Sequence, residues 1–525
     1  MSRPLWTLAE VIAASGAKRD QSDSAVADAQ DPPISGVSID TRSLEPGDLF
    51  VPLTDARDGH DFVTAAFERG AGAALVRESY VRKPGDGTLL RVDDPLRALE
   101  RIGIAARARL SGEARIVAVT GSAGKTGTKE MLRACLKVCA ASPDKVHAPE
   151  KSYNNHWGVP LTLARMPADT EFGVFEIGMN HAGEIRPLTK MVRPHIAIVT
   201  NVLPVHVGNF EDGEIGVANA KAEIFEGLEA PRSKHSSRTG TGPPSPAASR
   251  HFSPPPGGEG DGSEQGAARE ATAIIPRDGP HYELLRAAAA AWGAAVLTFG
   301  CDSAADVALA DYGERSDDAA EPVTTVSAHF ADGEEGFNVD YDLGMPGRHI
   351  AVNSLAVLLA LKTVGGLKPA ALRRLAELRP AGGRGARAIV GRGEGALLLL
   401  DESYNANPAS MRAALESLAT TDHGGRRVGV LGDMLELGAD AIRYHVELKD
   451  AAERADVILC CGPNMRHLYD ALAPDKKGAW APSSGDLIPH VLATLRPGDA
   501  VMVKGSLGSR MAPIVEAIRT HFSIS

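Results

Sequence analysis

Short β-branched runs alternate along the chain with stretches of helical apolar spacing, and that alternation predicts an α/β protein. Residues 1 to about 110 read as a small α/β domain. Apolar spacing predicts helices over 6–14 and 62–69, and Val37-Ser38-Ile39, Leu49-Phe50-Val51-Pro52-Leu53, Ala74-Leu75-Val76 and Leu89-Leu90-Arg91-Val92 read as strands. Residues 19–33 are polar and predict a loose excursion.

From 111 to about 379 the alternation predicts a doubly wound sheet. Ile116-Val117-Ala118-Val119, Phe172-Gly173-Val174-Phe175-Glu176-Ile177 and Ile196-Ala197-Ile198-Val199-Thr200 read as buried strands. Between the first two, Met131, Leu132, Cys135, Leu136 and Val138 mark a helix over 130–140. From about 380 to 525 four strand cores follow: Leu397-Leu398-Leu399-Leu400, Val428-Gly429-Val430-Leu431, Val457-Ile458-Leu459-Cys460 and Val501-Met502-Val503. Helices fit over 408–419, 440–455, 465–472 and 485–495, giving a second, Rossmann-like α/β domain. The stretch 231–270 breaks the pattern. Rich in Pro, Gly, Ser and charge, and including Pro254-Pro255-Pro256, it has too little apolar surface to offset the entropy of ordering, and it reads as a disordered insertion.

The length of 525 residues fits about three domains. A net charge of −11 with no basic stripe argues against a nucleic-acid partner. The five cysteines, Cys135, Cys139, Cys301, Cys460 and Cys461, lie in apolar segments and form no C-x-x-C pair, which predicts a reduced cytoplasmic chain with structural thiols. The start Met1-Ser2-Arg3-Pro4-Leu5-Trp6 does not read as a signal peptide, and no apolar run reaches the ~20 residues that span a bilayer, so no membrane insertion is expected.

The chemistry concentrates between the first central strand and its helix, at Thr120-Gly121-Ser122-Ala123-Gly124-Lys125-Thr126-Gly127. Strand, glycine turn and helix form the setting of a phosphate-binding loop. Gly121 and Gly124 let the backbone approach phosphate oxygens, and N–H groups at the helix start point at the anion. Lys125 supplies a positive charge, and the Thr126 hydroxyl is placed to meet Mg²⁺. The first glycine of the general G-x-x-x-x-G-K-[ST] pattern is absent: Val119 stands there, and the loop is tighter. Glu176 and His206 end or follow buried strands, where ligands of parallel sheets bind. Asp40-Thr41-Arg42 and Asp58-Gly59-His60-Asp61 read either as turns and a helix cap or as a binding site.

Several further segments resemble the Mur ligases of peptidoglycan synthesis, and nearly the whole chain outside 231–270 takes part. They include Ser38-Ile39-Asp40-Thr41-Arg42, Tyr153-Asn154-Asn155-His156-Trp157-Gly158-Val159-Pro160, Phe175-Glu176-Ile177-Gly178-Met179-Asn180, Asp401-Glu402-Ser403-Tyr404-Asn405-Ala406-Asn407-Pro408, Leu431-Gly432-Asp433-Met434-Leu435-Glu436-Leu437-Gly438 and Val503-Lys504-Gly505-Ser506. The Tyr-Asn-Ala-Asn-Pro and Leu-Gly-Asp-Met-Leu-Glu-Leu-Gly segments point, within the family, to the member that adds a dipeptide.

The resemblance implies three domains holding UDP, ATP and the amine donor in turn. It implies a reaction in which ATP phosphorylates the carboxylate of UDP-N-acetylmuramoyl-tripeptide and D-alanyl-D-alanine attacks the acyl phosphate. Gly121, Ser122, Ala123, Gly124, Lys125, Thr126 and Gly127 would hold the phosphates. Thr126 and Glu176 would hold Mg²⁺, and His206 matches a second metal position. Lys221 in Ala220-Lys221-Ala222-Glu223 matches a lysine that carries a carbamate; on composition alone it is a surface helix lysine. His349 and Asn353 resemble residues that meet adenine, and Arg384 one that reaches the phosphates on closure. Asp40, Thr41 and Arg42 would hold UDP. Asn154, Asn155, Asn405, Asn407 and Lys504 would meet the peptide substrates. The expected state is a cytoplasmic monomer.

Four positions depart from the family pattern: Gly127 for a threonine, Ile350 for an asparagine, Glu402 for an aspartate, and Ile275-Pro276-Arg277-Asp278 for an Asn-x-Asp-like stretch. None removes a group needed for phosphoryl transfer. The competing readings are a sister ligase adding one amino acid, folylpolyglutamate synthase, a non-catalytic nucleotide-binding homologue, and a generic P-loop ATPase.

Overall fold

The computed structural model describes residues 4–20, 31–150, 152–205, 207–229, 270–315, 323–333, 336–380, 382–393, 396–421 and 423–523. His206 and the 231–270 insertion, apart from Glu270, lie outside the described residues.

Three sheets follow one another along the chain. The first has five strands in the spatial order Lys18–Arg19, Leu89–Val92, Ala73–Arg77, Asp48–Phe50 and Gly36–Ser38, parallel except for the short Lys18–Arg19 edge. A helix over Pro95–Ala108, absent from the strand-based reading, leads out of it. Asp94 caps this helix by accepting N–H bonds from Leu96 and Arg97, and Pro95 opens it. Its apolar face, including Leu99, Ile102 and Ala106, is buried. Polar contacts tie the first sheet to the second: Trp6 Nε1 donates to the Ala164 carbonyl (2.8 Å), and Arg165 Nε donates to the Val37 carbonyl (2.7 Å). The Arg109 guanidinium lies 3.6 Å from the centre of the Trp6 ring.

The central sheet has nine strands and is mixed, which corrects the expectation of simple strand–helix alternation to residue 379. Its parallel part runs Val146–His147, Phe172–Glu176, Arg115–Thr120, Ile196–Val199, Thr272–Pro276, Ala295–Gly300 and Val307–Arg315. Val323–Phe330 and Phe337–Leu343 then fold back as an antiparallel meander. Val323–Phe330 alternates buried and half-buried positions, the period-two signature of a strand with one face in the core. Arg115–Thr120 lies between Phe172–Glu176 and Ile196–Val199, so the chain reverses its direction of progress across the sheet there. The carboxyl end of such a strand opens a crevice.

The third sheet runs Ala386–Val390, Leu397–Glu402, Ala500–Lys504, Arg427–Gly432, Val457–Cys461 and Lys477–Ala481. The first pair is antiparallel and the rest are parallel. The helix expected over 440–455 is broken into Ala441–Val446 and Lys449–Ala452 after a short turn at Gly438–Asp440. All five cysteines are free thiols, but Cys301 is exposed, against the expectation that every one sits in an apolar segment. No described helix is long and apolar enough to cross a membrane.

Candidate active site

The crevice holds the glycine loop between Arg115–Thr120 and the helix Lys125–Lys137. Gly121 (φ 145°) and Gly124 (φ 80°) adopt backbone conformations that side chains disfavour. There is no room for side chains either: a Cβ on Gly121 would stand 1.9 Å from Thr200 Oγ1, and one on Gly124 would stand 2.1 Å from Asn353 Nδ2. Gly127 has open space around it, so the missing threonine leaves no clash or void-filling demand there. Residues after the strand Ile196–Val199 clamp the loop. Ala123 N–H donates to Asn201 Oδ1 (2.9 Å), Thr200 Oγ1 donates to the Ala123 carbonyl (2.6 Å), and Ser122 N–H donates to the Asn201 carbonyl (3.1 Å). Ser122 Oγ is engaged with the Leu203 backbone.

Lys125 folds its ammonium back onto the Gly121 carbonyl (2.7 Å). Burial pushes that ammonium below its ordinary pKa; Glu176 opposes the shift and Arg384 adds to it. Thr126 Oγ1 donates to Glu176 Oε2 (2.9 Å), and Asn154 Nδ2 donates to Glu176 Oε1 (2.7 Å). Glu176 is 2% exposed. Lys221, on the helix Gly213–Ala222, is buried rather than on the surface, and among the described residues its ammonium has no hydrogen-bond or ion-pair partner. Burial pushes it well below the ordinary lysine range, with Lys125 repelling it in the same sense.

The third sheet contributes across the cleft. Arg384 Nη2 donates to Ser152 Oγ (3.2 Å), and its guanidinium lies 3.8 Å from the centre of the Tyr404 ring. Lys504 Nζ, 3% exposed in its side chain, donates to Glu402 Oε2 (3.2 Å) and to the Asn405 carbonyl (3.0 Å). Glu402 thus meets Lys504 at carboxylate distance despite its longer side chain. His349, at the start of the helix Arg348–Thr363, reaches solvent within the cleft. Asn353, one turn further, sits against Gly124 of the loop. A second bridge is backbone to backbone: a Cβ on Gly208 would stand 2.6 Å from Gly438 Cα.

Other candidate residues are engaged in local structure. Asn155 Oδ1 accepts N–H bonds from Trp157 (3.2 Å) and Gly158 (2.9 Å), at the start of the helix Gly158–Ala164. Asn407 caps the helix Pro408–Thr420 through Ser410, and Asn405 Oδ1 accepts from Ala406 N–H. Asp40 caps the turn Thr41–Ser43 and holds the exposed Arg42 at 2.6 Å, while Thr41 is half-buried. This group follows the strand Gly36–Ser38 of the first sheet. In the Ile275-Pro276-Arg277-Asp278 stretch, Asp278 accepts N–H bonds from Cys301 and Asp302, a turn-holding role. Residue typing did not single out Ser152, Thr200, Asn201 or Tyr404 as site residues. Thr200 and Asn201 carry a readable signal, polar residues directly after a buried parallel strand, and Tyr404 lies in the Tyr-Asn-Ala-Asn-Pro segment; Ser152 carries none.

These donors suit a nucleotide with Mg²⁺. The loop offers backbone space and an ammonium for phosphates, and Thr126 with Glu176 offers hard oxygen ligands. Mg²⁺ takes such oxygen ligands and keeps waters and phosphate oxygens in the rest of its shell. A phosphate-binding loop facing an arginine from a separate sheet defines the class, a nucleotide-using enzyme whose site lies between two units. Residues 119–234 match the Mur ligase middle domain, and residues 388–507 the Mur ligase, glutamate ligase domain. The UDP-N-acetylmuramoyl-tripeptide–D-alanyl-D-alanine ligase of Escherichia coli K12 is 32% identical, covering 93% of this chain and 94% of its own. That of Bacillus subtilis 168 is 29% identical, over 92% and 93%. A crystal structure of MurF from Acinetobacter baumannii has the same fold, with a TM-score of 0.76 at 24% identity over 98% of this chain and 100% of its own. MurF from Thermotoga maritima in complex with ADP gives 0.71 at 21% identity, over 94% and 100%. The chain belongs to the Mur ligase family.

Proposed function

We propose that this protein is the ATP-dependent ligase that joins D-alanyl-D-alanine to UDP-N-acetylmuramoyl-tripeptide in peptidoglycan precursor synthesis. The observation that carries the reading is the meeting of Lys125 and Thr126 at the glycine loop with Glu176 at the end of a neighbouring strand and Arg384 from the third unit. Residues 1–110 hold the UDP moiety, through Asp40, Thr41 and Arg42; residues 111–379 hold ATP; residues 380–525 hold the dipeptide, beside Asn405, Asn407 and Lys504. Its five free thiols are in keeping with a cytoplasmic enzyme, and we take the working form to be a monomer.

In this scheme the loop N–H groups and Lys125 bind and orient the phosphates of ATP. The peptide carboxylate attacks the γ-phosphorus, the bond to ADP breaks, and an acyl phosphate forms. The dipeptide amine then attacks the acyl carbon, and phosphate leaves. Mg²⁺, when bound at Thr126 and Glu176, supplies charge neutralisation for phosphoryl transfer. Asn154 orients Glu176. His349 and Asn353 line the nucleotide side of the cleft, and Asn155 shapes the peptide side through its helix start. Arg384 adds positive charge from the closing unit, and closure keeps water off the acyl phosphate. His206 belongs to a second metal position. Lys221 carries a carbamate there: its neutral amine adds CO₂ and releases one proton, turning a buried amine without a partner among the described residues into an anion fit for a metal.

The test is ADP release with the substrates given separately and together. ATP alone, or with UDP-linked tripeptide, should turn over slowly. Adding D-alanyl-D-alanine should start steady ADP release, with UDP-linked pentapeptide formed one-to-one. Vigorous ATPase activity indifferent to both would sink the reading, and efficient addition of a single amino acid would move the protein to a sister ligase.

A further inference from the structure

Ser152 stands where two units of the protein meet by hydrogen bonding. On one side its Oγ is 3.3 Å from Thr126 Oγ1; on the other it accepts from Arg384 Nη2 at 3.2 Å. Proton counting fixes the direction of this chain. The single Thr126 hydroxyl proton is committed to Glu176 Oε2 at 2.9 Å. Ser152 is therefore the donor to Thr126 and, through its lone pair, the acceptor from Arg384. A continuous run links Asn154, Glu176, Thr126 and Ser152 of the central unit to Arg384 of the third. Arg384 in turn stacks on Tyr404 of its own unit. Among the described residues Arg384 forms no ion pair with a carboxylate, so its charge is held in place by an aromatic face and one serine oxygen and is left for an incoming anion. The same charge is felt at Lys125.

We propose that Ser152 is a positioning residue: its hydroxyl holds Arg384 in register with the Thr126–Glu176 pair and so couples closure of the third unit to the phosphate side of the site. An alanine there leaves Arg384 without its hydrogen-bond acceptor and Thr126 without its donor. A threonine keeps the hydroxyl. The proposal rests on the ligase reading for its turnover assay, so a readout independent of chemistry accompanies it.

The experiment is a double-mutant cycle on steady-state ADP release with both substrates, using Ser152→Ala, Arg384→Ala and the double variant, each checked by thermal melting. Ser152→Ala should lower kcat about tenfold, the scale of a lost hydrogen bond to a charged group. In the Arg384→Ala background the same change should lower it less than about twofold, because the interaction is already gone. Ser152→Thr should recover most of the loss. Additive losses, or a threonine variant no better than alanine, would overturn the proposal. In parallel, small-angle scattering with a non-hydrolysable ATP analogue should show smaller compaction for Ser152→Ala than for wild type. Equal compaction would overturn the proposal even if the wild-type protein proved not to ligate the dipeptide, an outcome that defeats the ligase reading alone.

Discussion

Glu176 separates a role in chemistry from a role in folding, because two substitutions act on it differently. Glu176→Ala removes both acceptors at once. Asn154 Nδ2 loses a 2.7 Å bond and Thr126 Oγ1 a 2.9 Å bond, at a position 2% exposed. An orphaned buried donor costs about 1–3 kcal/mol, so the alanine should destabilise the protein by roughly 2–6 kcal/mol, less where water enters. Lys125 also loses the carboxylate that opposes its burial. Glu176→Gln is different. Its Oε1 can still accept from Asn154, and its amide N–H can donate to Thr126 once that hydroxyl turns its proton toward Ser152. Packing and hydrogen bonding survive, and only the charge is lost. A missing preorganised electrostatic contact typically costs 10²–10³ in rate, about 2.7–4 kcal/mol. The assay is steady-state ADP release with both substrates across a Mg²⁺ titration, beside thermal melting of both variants. The glutamine variant should melt near wild type, turn over about 10²–10³-fold more slowly and need more Mg²⁺; the alanine variant should melt lower as well. Turnover of Glu176→Gln within about threefold of wild type would refute the assignment of its charge to the reaction. A glutamine variant that melts as low as alanine would reduce Glu176 to a structural role.

Lys125→Ala should keep its melting temperature, since the ammonium bonds only loop carbonyls, yet lose about 10²–10³ in turnover; a near-normal rate would remove it from the phosphate site. Replacing residues 232–269 with a short Gly/Ser linker should leave turnover within a few-fold of wild type, and collapse of activity in a folded variant would assign the insertion a function. Lys221→Ala should be severely impaired, and intact mass under bicarbonate should show a carbamate on the wild type; clear density for a bare ammonium with Mg²⁺ and bicarbonate present would count against it. Stability should fall on acidification through His195, whose Nδ1 accepts from Ile116 N–H (2.9 Å) and whose pKa is pushed down to about 3 by burial, with Arg107, Arg115 and Arg193 adding. The folded pKa lies below the ordinary value near 6.5, so this contribution is complete above about 6.5 and is lost as pH falls toward 3, by up to about 1.4 kcal/mol per pH unit. Melting temperature against pH should be flatter in His195→Gln, and an equally steep profile would discard His195 as the cause.

The local chemistry of the site was legible because its signals are short in sequence. Gly121 and Gly124 announced a tight anion loop, and the strand-end placement of Glu176 brought it to that loop in the structure. What hid was whatever depends on partners far along the chain. Lys221 reads as a solvent-facing helix lysine by composition and is buried because of what packs over Gly213–Ala222. The meander Val323–Phe330 and Phe337–Leu343 escaped because an antiparallel pair has the same apolar alternation as any half-buried strand; only its partner sets its direction. The helix Pro95–Ala108 was passed over because its buried residues are interleaved with arginines, although Asp94 and Pro95 marked its start. Asn407 was read through the family as a substrate contact, while the Asn-Pro dipeptide was also a helix-start signal, and the cap is what its side chain makes.

The strand order of the third sheet has a mechanical consequence. The chain passes from the helix Pro369–Glu377 into this sheet only once, and enters it at the edge strand Ala386–Val390, just after Arg384. If that crossing acts as the pivot, displacement scales with distance from it. Lys504 ends the third strand from the pivot edge, and Tyr404 follows the second. With strands about 4.8 Å apart, these groups have a lever arm of roughly 10 Å or less, against roughly 24 Å for Lys477–Ala481 at the far edge. A 10° swing then moves the reacting side by under about 2 Å and the far edge by about 4 Å. The sheet is geared so that a wide sweep at its rim becomes a fine adjustment at Arg384, and a spectroscopic label at the rim would amplify a movement nearly invisible at the site itself.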